Sequence, residues 1–306
     1  MADKLYIAIA TCGRSALLER TLRNIAECTK PDSYVATYVV ENGRRDGIDE
    51  AVEAFPAEHG FRYLFHPQGN KSAALNRMLQ EVNDGLIVFT DDDVRMNADF
   101  LQRYDGAVRG AGAGRFLGGR TSVDYEAEPD PWLKEFLPRS AVGWDLGDSE
   151  RDIVEGEYFM GFNWAASAAD LHALGGFNEE VGPGAAGGST GQETDMQRRL
   201  MQAGVTGHYL PGAMVWHYIP TSRCTPAWIL RRAYRRGIEK GRKRDMHDSV
   251  PTLMRVPRWM IVDTARKATG ALLGQLRGSQ REKFIRLFDL YFQCGELAGI
   301  RQRPAG

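Results

Sequence analysis

Strand-like apolar runs alternate with helix-periodic segments through the first hundred residues, and this alternation constrains the fold more than any other feature. Runs rich in β-branched, aromatic and other apolar residues predict four strands, at 4–10, 34–40, 61–65 and 86–90. Helical spacing of apolar residues predicts helices between them, after residue 15, near 48–55 and over 71–82. Strands connected by helices favour a mostly parallel sheet with helices on both faces. The predicted fold class is therefore α/β and Rossmann-like.

A short polar segment follows each of these four strands. In an open α/β sheet, ligands bind beyond the carboxyl ends of the strands. Groups from distant parts of the sequence are therefore expected to converge there, in the segments TCGR (11–14), ENG (41–43), HPQGNK (66–71) and TDDD (90–93).

Three consecutive acidic residues, Asp91, Asp92 and Asp93, end the fourth apolar run. Side chains alternate along an extended chain, so Asp91 and Asp93 can point the same way. Two carboxylates on one side suit Mg²⁺ or Mn²⁺, which take oxygen ligands and often keep phosphate and water in their shell. An EF-hand loop is excluded because Arg95 and Met96 occupy its fifth and sixth positions. A solvated turn or a helix cap is the alternative interpretation.

The middle of the chain, over 115–220, has a less regular pattern. Segment 181–191 contains five glycines, which predicts a mobile loop. A helix is predicted over 192–204, with Gly204 at its C-terminal end. Because the loop directly precedes this helix, we expect it to act as a lid that excludes water from a site.

The chain from Arg223 onwards is basic, with 19 Lys and Arg against 7 Asp and Glu, whereas residues 1–222 carry 20 against 33. Its predicted helices interleave basic with aromatic and aliphatic residues. This pattern predicts solvated helix faces that pack on the rest of the protein, or an interfacial region on an anionic membrane over 226–268. Contact of Arg231 and Arg235 with a diphosphate is a third alternative. No nucleic-acid-binding motif occurs, so no nucleic-acid partner is expected. Scattered cysteines and the absence of a long apolar run predict a cytoplasmic location. The interfacial interpretation of the basic region would place the protein at the inner face of the membrane.

Six segments, in order along most of residues 4–220, resemble the inverting family-two glycosyltransferases, which have the GT-A fold. They are IATCGRSALLERTL, VVENGRRDG, GNKSAALNRML, FTDDDV, ALGGFNE with GQETDMQRRLMQAG, and MVWHYI. FTDDDV matches the DxD element of the family, and VVENGRRDG matches its V-V-D-N-G-S-x-D-G element with Glu41 in the Asp position. The resemblance implies a catalytic domain over 1–222, with a nucleotide-sugar half at about 1–120 and an acceptor half at about 121–222. A basic helical region over 223–306 follows it.

The resemblance also implies a role for each matching residue. The nucleotide would contact Thr11, Arg14, Glu41, Asn42, Lys71, Asn76, Asp91 and Asp92, with Glu41 accepting from the base, usually uracil. A divalent metal, Mn²⁺ or Mg²⁺, would be held by Asp93, Asp91 and His217. The acceptor or donor sugar would contact Trp164, Asn163 and Asp195. The residues themselves leave structural alternatives open, namely an ion pair of Glu41 with Arg44 or Arg45, and packing of Trp164 and His217 in the core.

The family places its general base at the Asp of an E-D pair. Alignment on Asp195 and Arg199 puts Glu193 in that position, so the resemblance implies Glu193 as the catalytic base. Inverting transfer needs a base that takes the proton of the acceptor hydroxyl from the side opposite the leaving group. A capping box between Thr190 and Glu193 is the alternative.

These residues together predict a metal-dependent inverting transferase of polysaccharide biosynthesis. It would move a sugar from a nucleoside-diphosphate sugar, a UDP-sugar in the first instance, to a hydroxyl of a glycan or lipid-linked acceptor. A nucleotidyltransferase acting on sugar phosphates and a non-catalytic nucleotide-sugar or carbohydrate-binding module are the alternatives. The sequence identifies neither the sugar, the acceptor nor the oligomeric state.

Overall fold

The computed structural model describes residues 4–111, 114–185, 190–245, 250–276 and 278–303. Internal contacts divide the chain into two compact units. The first comprises Met1–Asp124 with Arg139–Tyr218, and the second comprises Tyr125–Pro138 with Ile219–Gly306. The functional division at residue 222 stays a prediction.

Strands and helices alternate through the first part of the chain, and helices dominate its end. The strands of the described residues are β1 (Leu5–Thr11), β2 (Tyr34–Asn42), β3 (Phe61–His66), β4 (Leu86–Thr90), β5 (Val94–Met96), β6 (Arg115–Tyr125), β7 (Arg151–Asp152), β8 (Trp164–Ser167), β9 (Thr206–Ile219), β10 (Thr252–Leu253) and β11 (Val256–Pro257). Their helices are α1 (Ser15–Glu27), α2 (Ile48–Glu53), α3 (Lys71–Leu79), α4 (Phe100–Ala111), α5 (Pro131–Lys134), α6 (Ala168–Ala173), α7 (Gln192–Gln202), α8 (Pro226–Lys243), α9 (Arg258–Gly274) and α10 (Gln280–Arg301).

One large sheet has the strand order β3-β2-β1-β4-β8-β6-β9-β5, with β7 paired to β9. β1 pairs in parallel with β2 and β4, and β2 pairs in parallel with β3. The pairs β4–β8, β6–β8, β5–β9 and β7–β9 are antiparallel. The predicted α/β class with a helical C-terminal region is confirmed. The sheet as a whole is mixed, because the parallel arrangement is limited to β1–β4, the strands that the first helices connect.

Alternate residues of β1 face opposite sides of the sheet, and helices cover both sides. Ala8 lies in one core cluster with Met78 of α3. Ile7 and Ile9 lie in another cluster with Leu18 of α1. Every residue of β1 and β4 is buried, as expected for strands that are covered on both faces. This burial fixes the ends of β1 and β4 beside each other, and the candidate site lies there.

In the second unit, α8 and α10 pack backbone against backbone. A Cβ atom added to Gly237 of α8 would lie 2.0 Å from the carbonyl oxygen of Phe292, and one added to Gly295 of α10 would lie 2.0 Å from that of Tyr234. Only glycine permits this approach, since any side chain would force the helices apart. Within the described part of the chain, no helix combines the length and the apolar character needed to cross a membrane.

Candidate active site

The acidic turn after β4 is neutralised by residues that follow β1. Asp92 and Asp93 are both buried. Thr11 Oγ1 donates to Asp92 Oδ2 at 2.5 Å. The guanidinium of Arg14 lies across both acids, with Nη2 2.5 Å from Asp92 Oδ1 and Nη1 2.5 Å from Asp93 Oδ2. Thr11 and Arg14, which the resemblance assigns to the nucleotide, therefore contact the acidic turn directly.

Burial and charge act on these groups in opposite directions. Burial raises the pKa of Asp92 to about 6, although the neighbouring Arg14 lowers it. Lys71, the first residue of α3, donates to Asp91. Burial lowers the pKa of Lys71, but the charge and hydrogen bond of Asp91 act with the charges of Glu193 and Asp92 to raise it, and the net change is upward. Arg14 and Lys71 are thus held by carboxylates, and a diphosphate would compete for both cations.

His217 reaches the same turn from β9. The antiparallel register pairs His217 with Val94 of β5, the residue after Asp93. Its Nδ1 donates to the carbonyl oxygen of Ser140 at 2.7 Å, and its ring stacks on Phe162 with the centroids 4.6 Å apart. Its Nε2 then lies 3.3 Å from Asp93 Oδ1. Because a carbonyl oxygen can only accept, this contact fixes the tautomer and directs the Nε2 lone pair of a neutral ring towards Asp93.

The pair of Asp93 and His217 fits a cation. Burial lowers the pKa of His217, but the hydrogen bond and charge of Asp93 outweigh it and raise the pKa above its ordinary value. A proton or a divalent ion between Nε2 and the carboxylate would satisfy both groups, and imidazole and carboxylate are competent metal ligands. In the described ranges, no group of three or more His, Cys, Asp or Glu side chains is placed to hold a metal. The predicted three-ligand set is therefore not assembled, since Asp91 contacts Lys71 instead.

Glu193 is the second residue of α7 and does not cap it. The N-cap is Gly191, with φ of 100°, so the helix begins one residue later than the capping box with Thr190 would require. The carboxyl group of Glu193 lies against Gly161, where an added Cβ would be 3.3 Å from Oε2. Burial raises the pKa of Glu193, Lys71 lowers it and Asp91 adds to the rise. Glu193 thus shares the electrostatic environment of the acidic turn.

Two residues predicted to contact the nucleotide, Glu41 at its base and Asn42, are engaged within the protein, and their contact with a nucleotide stays a prediction. Glu41 is fully buried, and its oxygens accept from the backbone N–H of Asp46 and the hydroxyl of Tyr63, both at 2.6 Å. Asn42 Nδ2 donates to the carbonyl oxygen of Thr11 at 2.8 Å. The Glu41 side chain is one methylene longer than that of the Asp in the family pattern. In the described contacts, Glu41 does not form the alternative ion pair with Arg44 or Arg45.

Asn76 has a structural role, and its predicted contact with ribose or phosphate stays a prediction. Its side-chain amide donates to the carbonyl oxygen of Phe177 and to Glu179, both at 2.9 Å, and its oxygen accepts from the N–H of Phe177 at 2.7 Å. The three hydrogen bonds attach α3 to the segment before the glycine-rich loop.

The predicted lid is only partly within the described residues, because 186–189 lie outside them. The described start of the loop packs on the N-terminus of α3. Ser72 Oγ donates to the carbonyl oxygen of Val181 at 2.6 Å, and the Lys71 N–H donates to that of Pro183 at 3.0 Å. The lid function stays a prediction.

The two residues after the 161–162 turn lie in the core, which corrects their predicted contact with a sugar. Trp164 is 1% exposed and stacks on Phe89, with ring centroids 4.6 Å apart. Asn163 is fully buried, and its amide donates to the carbonyl oxygens of Arg120 and Ala213. The alternation of side chains along β8 does not show that both faces of this strand are covered. From the sequence, Trp164 and Asn163 were therefore expected to be accessible to a ligand.

Asp195, the third predicted sugar contact, forms ion pairs along its own helix. It lies 2.8 Å from Arg198 and 3.1 Å from Arg199. Arg199 also donates to the carbonyl oxygens of Leu174 and Gly176. Arg199 therefore holds α7 against the preceding loop, Asp195 pairs with it within the helix, and the role of Asp195 towards an acceptor stays a prediction.

Four contributors to the site were not predicted from the sequence. They are Ser140 and Phe162 around His217, Gly161 beneath Glu193, and Tyr63 on Glu41. Ser140 acts through a backbone oxygen, for which no sequence signal exists. Tyr63 carried a usable signal, because it lies in the neighbouring strand β3 and pairs with Val39, so it shares a face of the sheet with Glu41 two residues further on.

The comparisons with known proteins agree with this geometry. The family model for glycosyl transferase family 2 matches residues 6–168. The succinoglycan biosynthesis protein ExoM of Rhizobium meliloti (strain 1021) is 27% identical over 248 residues, which cover 78% of this chain and 75% of that protein. The mannosyltransferase PcManGT from Pyrobaculum calidifontis, solved with GDP-Man and Mn²⁺, matches with a TM-score of 0.56 at 18% identity, over 95% of this chain and 85% of that one. S. aureus TarS 1-349, solved with UDP-GlcNAc, matches with a TM-score of 0.52 at 11% identity, over 95% and 72%. This chain therefore belongs to glycosyl transferase family 2 and is a glycosyltransferase with the GT-A fold.

Proposed function

We propose that the protein is a metal-dependent inverting glycosyltransferase with Glu193 as its general base. It transfers a sugar from a nucleoside-diphosphate sugar, a UDP-sugar in the first instance, to an acceptor hydroxyl. One arrangement carries the proposal: Arg14, Lys71 and His217 converge on the three acidic residues after β4. The carboxyl group of Glu193 lies against Gly161, and the charges of Lys71 and Asp91 act on its pKa. We therefore assign the general base and the charged residues that would bind the donor to one site. This site lies on the catalytic domain that we propose over 1–222.

Arg14 and Lys71 are the groups that we assign to the donor diphosphate. Both are cations already placed at the strand ends, and Lys71 begins α3, whose N-terminus favours negative charge. Asp91 and Asp92 would then turn from these cations towards the ribose. PcManGT and TarS, which share the fold, were solved with GDP-Man and UDP-GlcNAc. We favour uridine because the sequence resembles family members that use it.

Asp93 and His217 would hold a divalent cation, Mn²⁺ or Mg²⁺, together with donor oxygens and water. The ion would supply Lewis-acid stabilisation of the charge that develops on the leaving nucleoside diphosphate. The PcManGT complex, which contains Mn²⁺, supports this assignment.

Glu193 would move the proton in the transfer step. The acceptor oxygen bonds to the anomeric carbon while the bond from that carbon to the diphosphate oxygen breaks, and the hydroxyl proton passes to the Glu193 carboxylate. Attack from the face opposite the leaving group inverts the anomeric centre. A raised pKa makes Glu193 a better proton acceptor than an ordinary carboxylate.

We propose a glycan or lipid-linked acceptor in polysaccharide biosynthesis. ExoM, which is similar over most of its length, is named for succinoglycan biosynthesis. An acceptor on a lipid would require the enzyme to work at a membrane, and the basic region over 226–268 is the part that we assign to an anionic membrane surface.

Two measurements test the proposal. A thermal-shift panel of UDP, GDP, CDP and dTDP should show stabilisation only when Mn²⁺ is present. A screen of nucleotide sugars for donor hydrolysis, in which water replaces the acceptor, then identifies the donor. The activity of Glu193→Gln is measured with that donor. That variant should lose about 10²- to 10⁴-fold in kcat and unfold at nearly the wild-type temperature. The exposed Glu53→Gln at the end of α2 is the matched control. Near-normal turnover by Glu193→Gln would remove Glu193 as the base.

A further inference from the structure

The helix α9 has one packed face and one exposed apolar face. Met260, Ala271 and Gly274 are buried on the packed face. The other face carries a stripe that repeats every three to four residues and continues into the turn after Gly274, and four of its six members are apolar. Its members are all exposed: Trp259, Val262, Arg266, Thr269, Leu273 and, in the turn, Leu276. Leu276 is 80% exposed, and the adjacent Leu272 is 73% exposed. Large apolar side chains rarely cluster in solvent on a monomer, so this face, the α9 stripe, indicates a binding surface.

The hairpin β10–β11, which leads directly into α9, extends the apolar surface. Its two-residue turn consists of Met254 and Arg255, with φ of 50° and 67°. Leu253 is 53% exposed and Met254 is 74% exposed. A turn of this kind normally contains Asn or Gly, because residues with a Cβ are strained at positive φ. The chain therefore presents a thioether and a guanidinium at the tip of this turn where small polar residues would be easier to accommodate.

The charges around this surface are positive. Arg255, Arg258 and Arg266 are exposed, and the guanidinium of Arg244 lies 5.4 Å from the centroid of the Trp259 ring. The acidic residue of α9, Asp263, points to Gln293 of α10, which donates to it at 2.8 Å. An apolar face bordered by arginines is complementary to an anionic lipid surface, where alkyl chains receive the apolar groups and phosphates receive the cations.

A second copy of the chain is the competing occupant. A two-fold contact pairs the same patch with itself, so it would bring the arginines of one copy against those of the other. Like charges placed opposite each other oppose association, whereas the headgroups of anionic lipids neutralise them. The charge pattern therefore favours the membrane.

Helix α8, which carries most of the basic residues of 226–268, is less suited to insertion. Its small face packs on α10 through Gly237 and Gly241, and its exposed positions are mainly Arg and Lys. We propose that the hairpin tip and the α9 stripe form the surface that inserts into an anionic bilayer, with α8 adding charge. The inference rests on the proposed membrane association. It assigns membrane insertion to residues 253–276 instead of to the whole basic region over 226–268.

Vesicle co-sedimentation of the full chain tests the surface. Wild type should bind phosphatidylcholine vesicles that contain phosphatidylglycerol and bind pure phosphatidylcholine weakly. The triple variant Val262→Ser, Leu273→Ser, Leu276→Ser should bind anionic vesicles at least about tenfold less, because it replaces three large exposed apolar side chains of the stripe by polar ones. The matched control is Val142→Ser with Val154→Ser, two exposed valines of the first unit. Circular dichroism and thermal unfolding establish that each variant is folded.

The outcomes separate this inference from the transferase proposal. Equal binding by the triple variant and wild type would overturn the α9 stripe and leave membrane association through α8. Absence of wild-type binding to anionic vesicles would overturn both membrane statements. A wild-type dimer that the triple variant converts to a monomer, without vesicle binding, would assign the surface to a second copy. Donor hydrolysis measured on the same samples without vesicles reports on the transferase site independently.

Discussion

Gly161 lies directly under the carboxyl group of Glu193, so a single methyl group can test whether that carboxylate must be accurately placed. An ideal Cβ at Gly161 would be 3.2 Å from Glu193 Cδ and 3.3 Å from Cγ and Oε2. Ordinary contacts begin at about 3.4 Å, so Gly161→Ala should displace the carboxyl group by a few tenths of an ångström. Gly161 has no left-handed φ, and alanine is therefore compatible with its backbone.

The expected loss of activity follows from this displacement. A misplacement of about 1 Å in an active site can reduce the rate about 10²-fold, so a few tenths should reduce kcat about three- to tenfold. That corresponds to about 0.7–1.4 kcal/mol in the activation barrier. The free energy of unfolding should change by less than about 1 kcal/mol, because the contact strain is offset by the lower entropy of the unfolded alanine chain.

The pH profile gives a second readout of Gly161→Ala. Glu193 acts as a base, so kcat should rise as the pH rises through its pKa, which burial already raises. The added methyl removes more water from the carboxylate and should move this rise to higher pH. The assay is kcat against pH at saturating donor, and Gly106→Ala is the control because an added Cβ there meets nothing within 4 Å. An unchanged kcat and pH profile, in a variant that is fully folded, would refute the placement of Glu193 as the base.

Three further predictions address the metal, the core and the helix packing. Asp93→Ala should abolish Mn²⁺-dependent stabilisation by the nucleotide, whereas Asp91→Ala should only weaken it. A thermal-shift titration measures both, and equal effects would contradict the assignment of Asp93 to the metal. Trp164→Ala should lower the free energy of unfolding by about 3–5 kcal/mol in a urea titration, since its ring is buried in the core; a selective rise in KM with normal stability would instead indicate a sugar contact. Gly295→Ala should lower the free energy of unfolding by about 1–3 kcal/mol, because its Cβ would overlap a backbone oxygen of α8. Gly270→Ala should raise it by up to about 1 kcal/mol, because a Cβ there meets nothing within 4 Å and alanine favours the helix. Equal melting temperatures for the two alanine variants would contradict the close packing.

Local sequence patterns were sufficient to predict the groups at the ends of β1 and β4. Thr11 and Arg14 follow one buried strand and Asp92 and Asp93 follow another, and parallel pairing brings their carboxyl ends together. That step needs only the strand order of an α/β sheet, which the alternation of strands and helices implies. The fold class was predictable for the same reason, whereas the family was predictable from six ordered segments that resemble it.

Burial of polar side chains was not predictable in this way. Glu41 and Asn163 stand at positions where a ligand contact was expected, yet both are fully buried and satisfied by protein groups. A sequence pattern shows that a side chain can form hydrogen bonds, but it does not show whether Tyr63 or a nucleotide is the partner. The partner depends on residues that are distant in the sequence.

The sequence by itself determined the order of strands and helices, the polar segments at the strand ends and the basic character of the C-terminal region, because these depend on local periodicity and composition. Only the tertiary structure decided that β9 pairs with β5 and so places His217 beside Asp93. It also decided that α10 covers the small face of α8 while the α9 stripe stays exposed. The physical reason is the same in both cases: periodicity identifies an apolar or polar face, whereas the element that covers it is selected by long-range packing across the whole chain.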